Sequence, residues 1–283
     1  MTTDIKIKNL IIGENHPVAI MGIINLSIES FYKQSFVPKE EFKLKLEKMI
    51  EEKADIIDIG ARSTAPGVQS ISIDKEKDRL LPILKQIKDY PDVIFSLDTQ
   101  FSEIAELGLK HGASMINDIS GFRTDEKIIE VIKEYDCPSV IMATKKNPGD
   151  ALTIEDIKTT LKESIEFGNR YDYDTKNIII DPGIGRWISE KRAYYNITIL
   201  NHIENLKILK QPILIGISRK SMIGDILGYQ DPLDRLNGTL AATVIGVYNG
   251  ADVVRTHDVK ITRDYIKIAR IFRDFKGGRT HNI

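Results

Sequence analysis

The segment Pro212–Ser221 reads Pro-Ile-Leu-Ile-Gly-Ile-Ser-Arg-Lys-Ser. Its apolar run, Ile213–Ile215, has the composition of a short strand buried on both faces, and it hands over through Ser218, Arg219 and Lys220 to a helical stretch at Met222–Leu227. Two cations and two hydroxyls beside the unpaired amides of a helix N-terminus make a rim suited to an anion, with Ser218 placed to cap the helix. The pattern recurs along the chain. Successive apolar runs close on Asn25, Asp58, Asp98, Asn117 and Asp181, and the last closes on Arg255-x-His257. A single Asp or Asn in such a place often only makes a turn or caps the next helix. So many sharing one rim point instead to a site. The set divides by chemistry. Asp98, Asn117 and Asp181 are acceptors and an amide suited to a heterocycle carrying N–H and NH2 groups, while Lys220, Arg255 and His257 are cations suited to phosphate. A site with both halves fits a polar heterocycle bearing a phosphoryl group.

The elements that would bring these residues to one rim alternate along the chain. Ile5–Ile12 alternates and, across Gly13–His16, meets the run Val18–Ile24, which predicts a small hairpin leading into a first buried strand. Strands are then expected at Ala54–Gly60, Val93–Leu97, Ser114–Ile116, Ser139–Met142, Ile178–Ile180 and Ala251–Val254. Helical patterns separate them, among them Glu40–Glu52, Asp74–Lys88, Thr153–Gly168 and Ala193–Leu206, and Ile261–Phe275 is the last. In Asp74–Lys88 the apolar stripe is Leu80, Leu81, Leu84 and Ile87, and Pro82 is a potential kink. About eight strand–helix units with short links predict an α/β protein of the (β/α)8 barrel type, with its site at the C-terminal strand ends. One domain over residues 1–276 with a short N-terminal β-hairpin is expected, followed by a flexible tail at 277–283. A doubly wound open sheet is the alternative, but no Gly-x-Gly-x-x-Gly follows the first strand.

Composition narrows the partners. Hydrophobic content of 42% with 29% charge over 283 residues is that of a soluble protein with a full-sized core. A net charge of -1 offers no basic field to hold nucleic acid. The single cysteine, Cys137, excludes an internal disulfide and a Cys-based metal cluster, and is expected to be a buried packing residue. No apolar run approaches the roughly 20 residues that span a bilayer, and the N-terminus lacks the apolar core of a signal peptide. A cytoplasmic protein acting on small molecules is the expectation.

Asn25 in Gly22-Ile-Ile-Asn25, Asp58-Ile-Gly60-x-x-Ser63-Thr64-x-Pro66-Gly67, Asp98-Thr99 and Asn117-Asp118-Ile-Ser120-Gly121 follow one another in order. Asp181-Pro-Gly-Ile-Gly185, Ser218-Arg-Lys-Ser221 and Arg255-x-His257-Asp258 complete the series. From about Val18 to the last helix, the chain resembles the dihydropteroate synthases, a family of pterin-binding barrels. The resemblance implies an enzyme that joins 6-hydroxymethyl-7,8-dihydropterin diphosphate to an arylamine and releases diphosphate. It implies that Asp98, Asn117, Asp181 and Lys220 bind the pterin. Asn25, Arg255 and His257 would hold the diphosphate with its Mg²⁺, Asn25 serving as the metal ligand. Asp98, Lys220, Arg255 and His257 form the implied catalytic set, and a homodimer through the last helices is implied as well.

Where the chain departs from the family, it changes the loops over the arylamine. The first loop carries Lys33 in place of an acidic residue, and the second has Arg62 for Glu and Ala65 for Arg. Arg186 stands where an aromatic is usual, although Trp187 beside it is placed to line the pocket mouth. Thr144, Lys145 and Lys146 occupy the loop where the family has a His. These loops resemble those of the archaeal branch that makes methanopterin, whose arylamine is 4-(β-D-ribofuranosyl)aminobenzene 5'-phosphate. Lys33, Arg62, Ser63, Lys145, Lys146, Arg186 and Ser221 are the candidate contacts for such an amine and its phosphate. Two other readings share the barrel. A methyltetrahydrofolate–corrinoid methyltransferase would have no use for the phosphate set, and a non-catalytic pterin carrier would gain nothing from binding diphosphate.

Overall fold

The computed structural model describes residues 2–29, 35–63 and 68–278. Short runs of Ile, Val and Met form strands because β-branched side chains pack well on a pleated surface covered on both sides. The first two, β1 (Ile5–Ile7) and β2 (Leu10–Ile12), pair antiparallel with Ile7 opposite Leu10. The hairpin therefore turns at Lys8 and Asn9, with Lys8 at φ 50, and is complete before Gly13–His16. Thr3 N donates to Lys210 O, and the Lys8 ammonium donates to Pro91 O and Val93 O. Those carbonyls precede barrel strands, so the hairpin covers the N-terminal end of the barrel.

The remaining eight strands are parallel: β3 (Ala19–Asn25), β4 (Ile56–Gly60), β5 (Ile94–Asp98), β6 (Met115–Asp118), β7 (Ser139–Met142), β8 (Ile178–Asp181), β9 (Leu214–Ile215) and β10 (Val253–Thr256). Their order, β8-β7-β6-β5-β4-β3-β10-β9, becomes a ring because Ile180 bridges Ile213 and Ile180 N donates to Pro212 O. This is the (β/α)8 barrel expected from the alternation. The helices α1 (Phe42–Glu51), α2 (Ile73–Ile87), α3 (Ser102–Lys110), α4 (Ile128–Glu134), α5 (Ile154–Arg170) and α6 (Ala193–Asn201) each follow one strand. A short α7 (Ser221–Leu227) precedes α8 (Leu236–Tyr248) in the seventh connection, and α9 (Val259–Lys276) closes the chain. Among the described residues no helix is long and apolar enough to cross a membrane.

Local signals explain most boundaries. Thr153 and Asp156 form a reciprocal capping box at the start of α5, and the Ser72 side chain caps α2. Pro82 does not break α2. The buried stripe of Leu80, Ile83, Leu84 and Ile87 holds that helix together against the one lost backbone bond, while Leu81, expected on the stripe, is exposed. The helix expected over Ala193–Leu206 divides: α6 ends at Asn201 and a 3-10 turn runs over Ile203–Leu209. Cys137 is buried as expected, with burial pushing its thiol up to about 12. Of the expected tail, 279–283 lies outside the described residues, as do Lys33 and Ala65.

Candidate active site

Parallel register decides which strand-end residues meet. Asp98 pairs with Gly60 on one side and Asn117 on the other, and Met142 lies beside Asp181. Across the barrel, β10 carries Arg255 between β3 and β9. Its guanidinium reaches over the interior: Nε donates to Asp58 Oδ2 at 2.6 Å and Nη2 to Asp98 Oδ2 at 2.8 Å. Asn117 Nδ2 donates to the same Asp58 oxygen at 3.2 Å. Asp58 is fully buried, so one carboxylate braces both the arginine and the amide. The cavity above is about 260 Å³, with Ile119 and Met142 as apolar wall.

Charge in this floor is tightly balanced. Burial raises the Asp98 pKa to about 7; Arg255 opposes the shift and Asp58 adds to it. Burial disfavours the Arg255 cation as well, but Asp58 and Asp98 together outweigh it and its pKa is raised. Asp181 Oδ1 accepts from Gly183 N at 2.7 Å, and burial raises its pKa against the charge of Lys220. The Lys220 ammonium donates to Ile184 O and lies 5.0 Å from the centre of the Trp187 ring. Burial lowers its pKa to about 8, with Asp181 opposing.

The handover at Ser218–Ser221 differs from the expectation. Ser218 does not cap α7, whose N-cap is Lys220 without a side-chain bond. Its hydroxyl lies 2.9 Å from His257 Nδ1 and accepts from His257 N. The turn is made by Arg219, at φ 56, a left-handed conformation that a non-glycine residue needs outside support to hold. That support is a two-point bond to Asp258 (2.9 and 2.8 Å) together with the carbonyls of Pro232 and Leu233. With Arg219 so placed, both Ser218 and Lys220 line the cavity. His257 also lines it, but not as the cation the sequence suggested. Burial, then the charges of Arg255 and Arg219, lower its pKa to about 3, so its ring is neutral. Its partner is Ser218, while Asp258 belongs to Arg219.

Asn25 lines the cavity at the end of β3, where its Oδ1 accepts from Ser27 N and its Nδ2 donates to Ser35 Oγ. Among the described residues no group of three or more His, Cys, Asp or Glu could hold a metal ion. The donor set therefore fits Mg²⁺ only in the manner of ions that arrive with phosphates, where one or two protein oxygens suffice, and the Asn25 amide oxygen has a second lone pair for that purpose.

The expected arylamine contacts separate. Arg62, Ser63, Arg186 and Ser221 line the cavity. Arg62, however, is bound through Nε to Glu76 at 2.8 Å and lies over the Phe101 ring at 4.8 Å. Glu76 is fully buried and also accepts from Thr99 Oγ1. Arg186 is exposed at the rim, 3.9 Å from Asp225. Lys145 turns away to Asp156 at 2.8 Å, and neither it nor Lys146 is among the lining residues. Lys33 lies outside the described residues. Trp187 lines the mouth as expected. Sequence reasoning placed Asp58 at the rim without a role and passed over Glu76. Glu76 stands four residues before Leu80 on the buried stripe of α2, and that position is the signal that it is buried and paired.

Comparison with known proteins places the chain in a family. A family model described as pterin binding enzyme matches residues 21–257. The dihydropteroate synthase of Clostridium beijerinckii is 40% identical over 255 residues, covering 89% of this chain and 92% of its own. The structure of a Coxiella burnetii dihydropteroate synthase in complex with pteroic acid superposes with a TM-score of 0.83 at 34% identity, over 97% of this chain and 100% of that one. A Xanthomonas albilineans dihydropteroate synthase with 4-aminobenzoic acid gives a TM-score of 0.81 at 28% identity, over 95% and 97%. On the barrel, the strand-end set and these matches, the chain belongs to the pterin binding enzymes and, within them, to the dihydropteroate synthase family of transferases.

Proposed function

We propose that this protein condenses 6-hydroxymethyl-7,8-dihydropterin diphosphate with 4-aminobenzoate and releases diphosphate. The observation that carries the reading is the buried Asp58–Arg255–Asp98 chain, which joins the half of the cavity suited to a heterocycle to the half suited to a phosphate. In this reading Asp98, Asn117, Asp181 and Lys220 hold the pterin. Asn25, Arg255 and His257 face the diphosphate, with the neutral His257 ring as a hydrogen-bond partner rather than a charge. When C–O cleavage runs ahead of amine attack, positive charge develops on the pterin methylene and negative charge on the leaving group. Asp98 and Asp181 stabilise the first, and Arg255 the second, from groups already in place. Mg²⁺ bound with the diphosphate, with Asn25 as its protein ligand, would add Lewis-acid stabilisation of the leaving oxygens. The arylamine nitrogen is nucleophilic as it stands and needs only to be positioned, with Trp187 as its wall. The site is read as part of one domain over 1–276. We read the protein as a cytoplasmic homodimer that meets its copy through the exposed Ile245, Ile268 and Phe272 of α8 and α9.

The methanopterin-type amine, expected from five loop cations, is the second reading. Of the four that lie among the described residues, Arg62 and Arg186 line the cavity, and the more enclosed Arg62 donates through Nε to Glu76. Diphosphate release measured with Mg²⁺ and each amine decides between them. Faster turnover with 4-aminobenzoate is expected. Preference for the phosphorylated amine would restore the other substrate, and pterin binding without release from either would leave a carrier. Methyl transfer to a corrinoid would point to the methyltransferase.

A further inference from the structure

Lys191, in the irregular stretch between β8 and α6, is fully buried, and the chemistry above does not use it. Its ammonium donates to three backbone carbonyls, Gly149 at 3.1 Å, Ala151 at 2.9 Å and Gly183 at 2.8 Å. That uses all three of its protons, the condition under which a lysine head tolerates burial. The acceptors come from two loops. Gly149 and Ala151 follow β7, and Gly183 follows β8. Burial lowers the Lys191 pKa to about 8, and the charge of Asp181 opposes the shift, so the two groups sense each other.

Two of the three acceptors lead to cavity residues. The Gly183 N–H donates to Asp181 Oδ1 at 2.7 Å, so one residue carries the connection from the Lys191 ammonium to the Asp181 carboxylate. Gly149, at φ +68, packs so closely on Trp187 that a Cβ there would fall 2.2 Å from its Cδ1. Trp187 in turn lies over Lys220. We propose that Lys191 is a positioning residue: by tying the loop after β7 to the loop after β8, it sets the orientation of the Asp181 carboxylate and of the Trp187 ring, and through them the fit of the cavity to its two substrates. The proposal rests on the pterin reading of the cavity.

Trp187 is the chain's only tryptophan, so its fluorescence reports this clamp independently of activity. Lys191→Met keeps the length of the side chain and removes the three donors. The expected result is a variant that folds by circular dichroism, with Trp187 emission moved to longer wavelength and kcat/KM per folded molecule lowered about ten- to hundred-fold, as for a misplacement of about 1 Å. The loss should fall on the KM for both substrates, and Lys191→Arg should recover part of it. Unchanged emission and unchanged kcat/KM per folded molecule, with only a lower melting temperature, would reduce Lys191 to a stabilising role and overturn the proposal. Should Lys191→Met fail to fold, Lys191→Arg carries the test, since a guanidinium does not place three donors on the same three carbonyls. A smaller emission shift and a smaller rise in KM are expected of it, and unchanged emission with an unchanged KM would overturn the proposal. Wild-type protein that releases no diphosphate would defeat the functional reading alone, since the emission test of the clamp stands without turnover.

Discussion

At the floor of the cavity Arg255 lies between Asp58 and Asp98; at the mouth Arg62 lies against Glu76. Both are arginine–carboxylate contacts with a fully buried acid, Asp58 in one and Glu76 in the other. They differ in what fixes their positions. The floor groups stand on or just beyond strand ends whose spacing the sheet ladder dictates, and burial, modulated by their neighbours' charges, shifts their pKa values, as Asp98, Lys220 and His257 show. Three of the mouth cations stand on loops, and each meets a carboxylate carried by a helix: Glu76 for Arg62, Asp156 for Lys145, Asp225 near Arg186. Loop cations counted from a sequence therefore overstate the positive field over a pocket, because their carboxylates come from other elements.

The hardest test of this contrast is Arg255→Met. It leaves fully buried Asp58 without its cation, and breaking such a pair costs about 3–5 kcal/mol. Denaturant titration should show a loss of that size, with kcat/KM down about 10²- to 10³-fold, the range for removing one preorganised stabiliser of developing charge. A cost no larger than that of a mouth substitution would erase the distinction.

A smaller effect follows from protonation in the floor. Because burial raises Asp98 to about 7, kcat/KM for the pterin diphosphate should fall as the pH drops through about 7, where the carboxylate stops accepting pterin N–H groups. Because burial lowers Lys220 to about 8, it should also fall as the pH rises through about 8. Lys220→Arg should leave the acid limb in place and make the alkaline limb shallower, since a guanidinium keeps its proton, with the loss that remains near pH 8 belonging to Lys191. An alkaline limb as steep as in the wild type would remove Lys220 from the profile. Stability responds to the Asp98 shift in its own direction. From the ordinary carboxylate value up to about 7 the folded state holds a proton that the unfolded state has released, so the fold loses stability as the pH rises through that window.

The smallest effect is expected at the mouth. Replacing Lys145 and Lys146 together by Ala should change the KM for either arylamine by less than about twofold. An exposed pair such as Lys145–Asp156 contributes about 0–1 kcal/mol. A tenfold rise in KM for the phosphorylated amine alone would bring both lysines back to the site.

The strand-end residues were legible because a strand buried on both faces reads as an unbroken apolar run, and the first polar residue after it lies at the rim. Asp98, Asn117, Asp181 and Ser218 follow from that rule, Lys220 came with the anion-suited handover after Ser218, and the strict alternation of runs with helical patterns already implied a closed barrel. Trp187, two residues beyond Gly185, was readable on the same ground. What each rim residue does was not legible. The neutral state of His257 depends on burial and on Arg255 and Arg219, which arrive from two different strand ends. The commitment of Arg62 depends on Glu76, on the helix after its own loop. Lys191 sits in an irregular stretch with no periodicity to mark it as buried, and its three acceptors lie 8, 40 and 42 residues away. Sequence alone determined the elements and the rim, because hydrophobic period and turn chemistry are local. Tertiary structure alone decided charge states and pairings, because these depend on desolvation and on distances of a few ångströms between segments that only the closed barrel brings together.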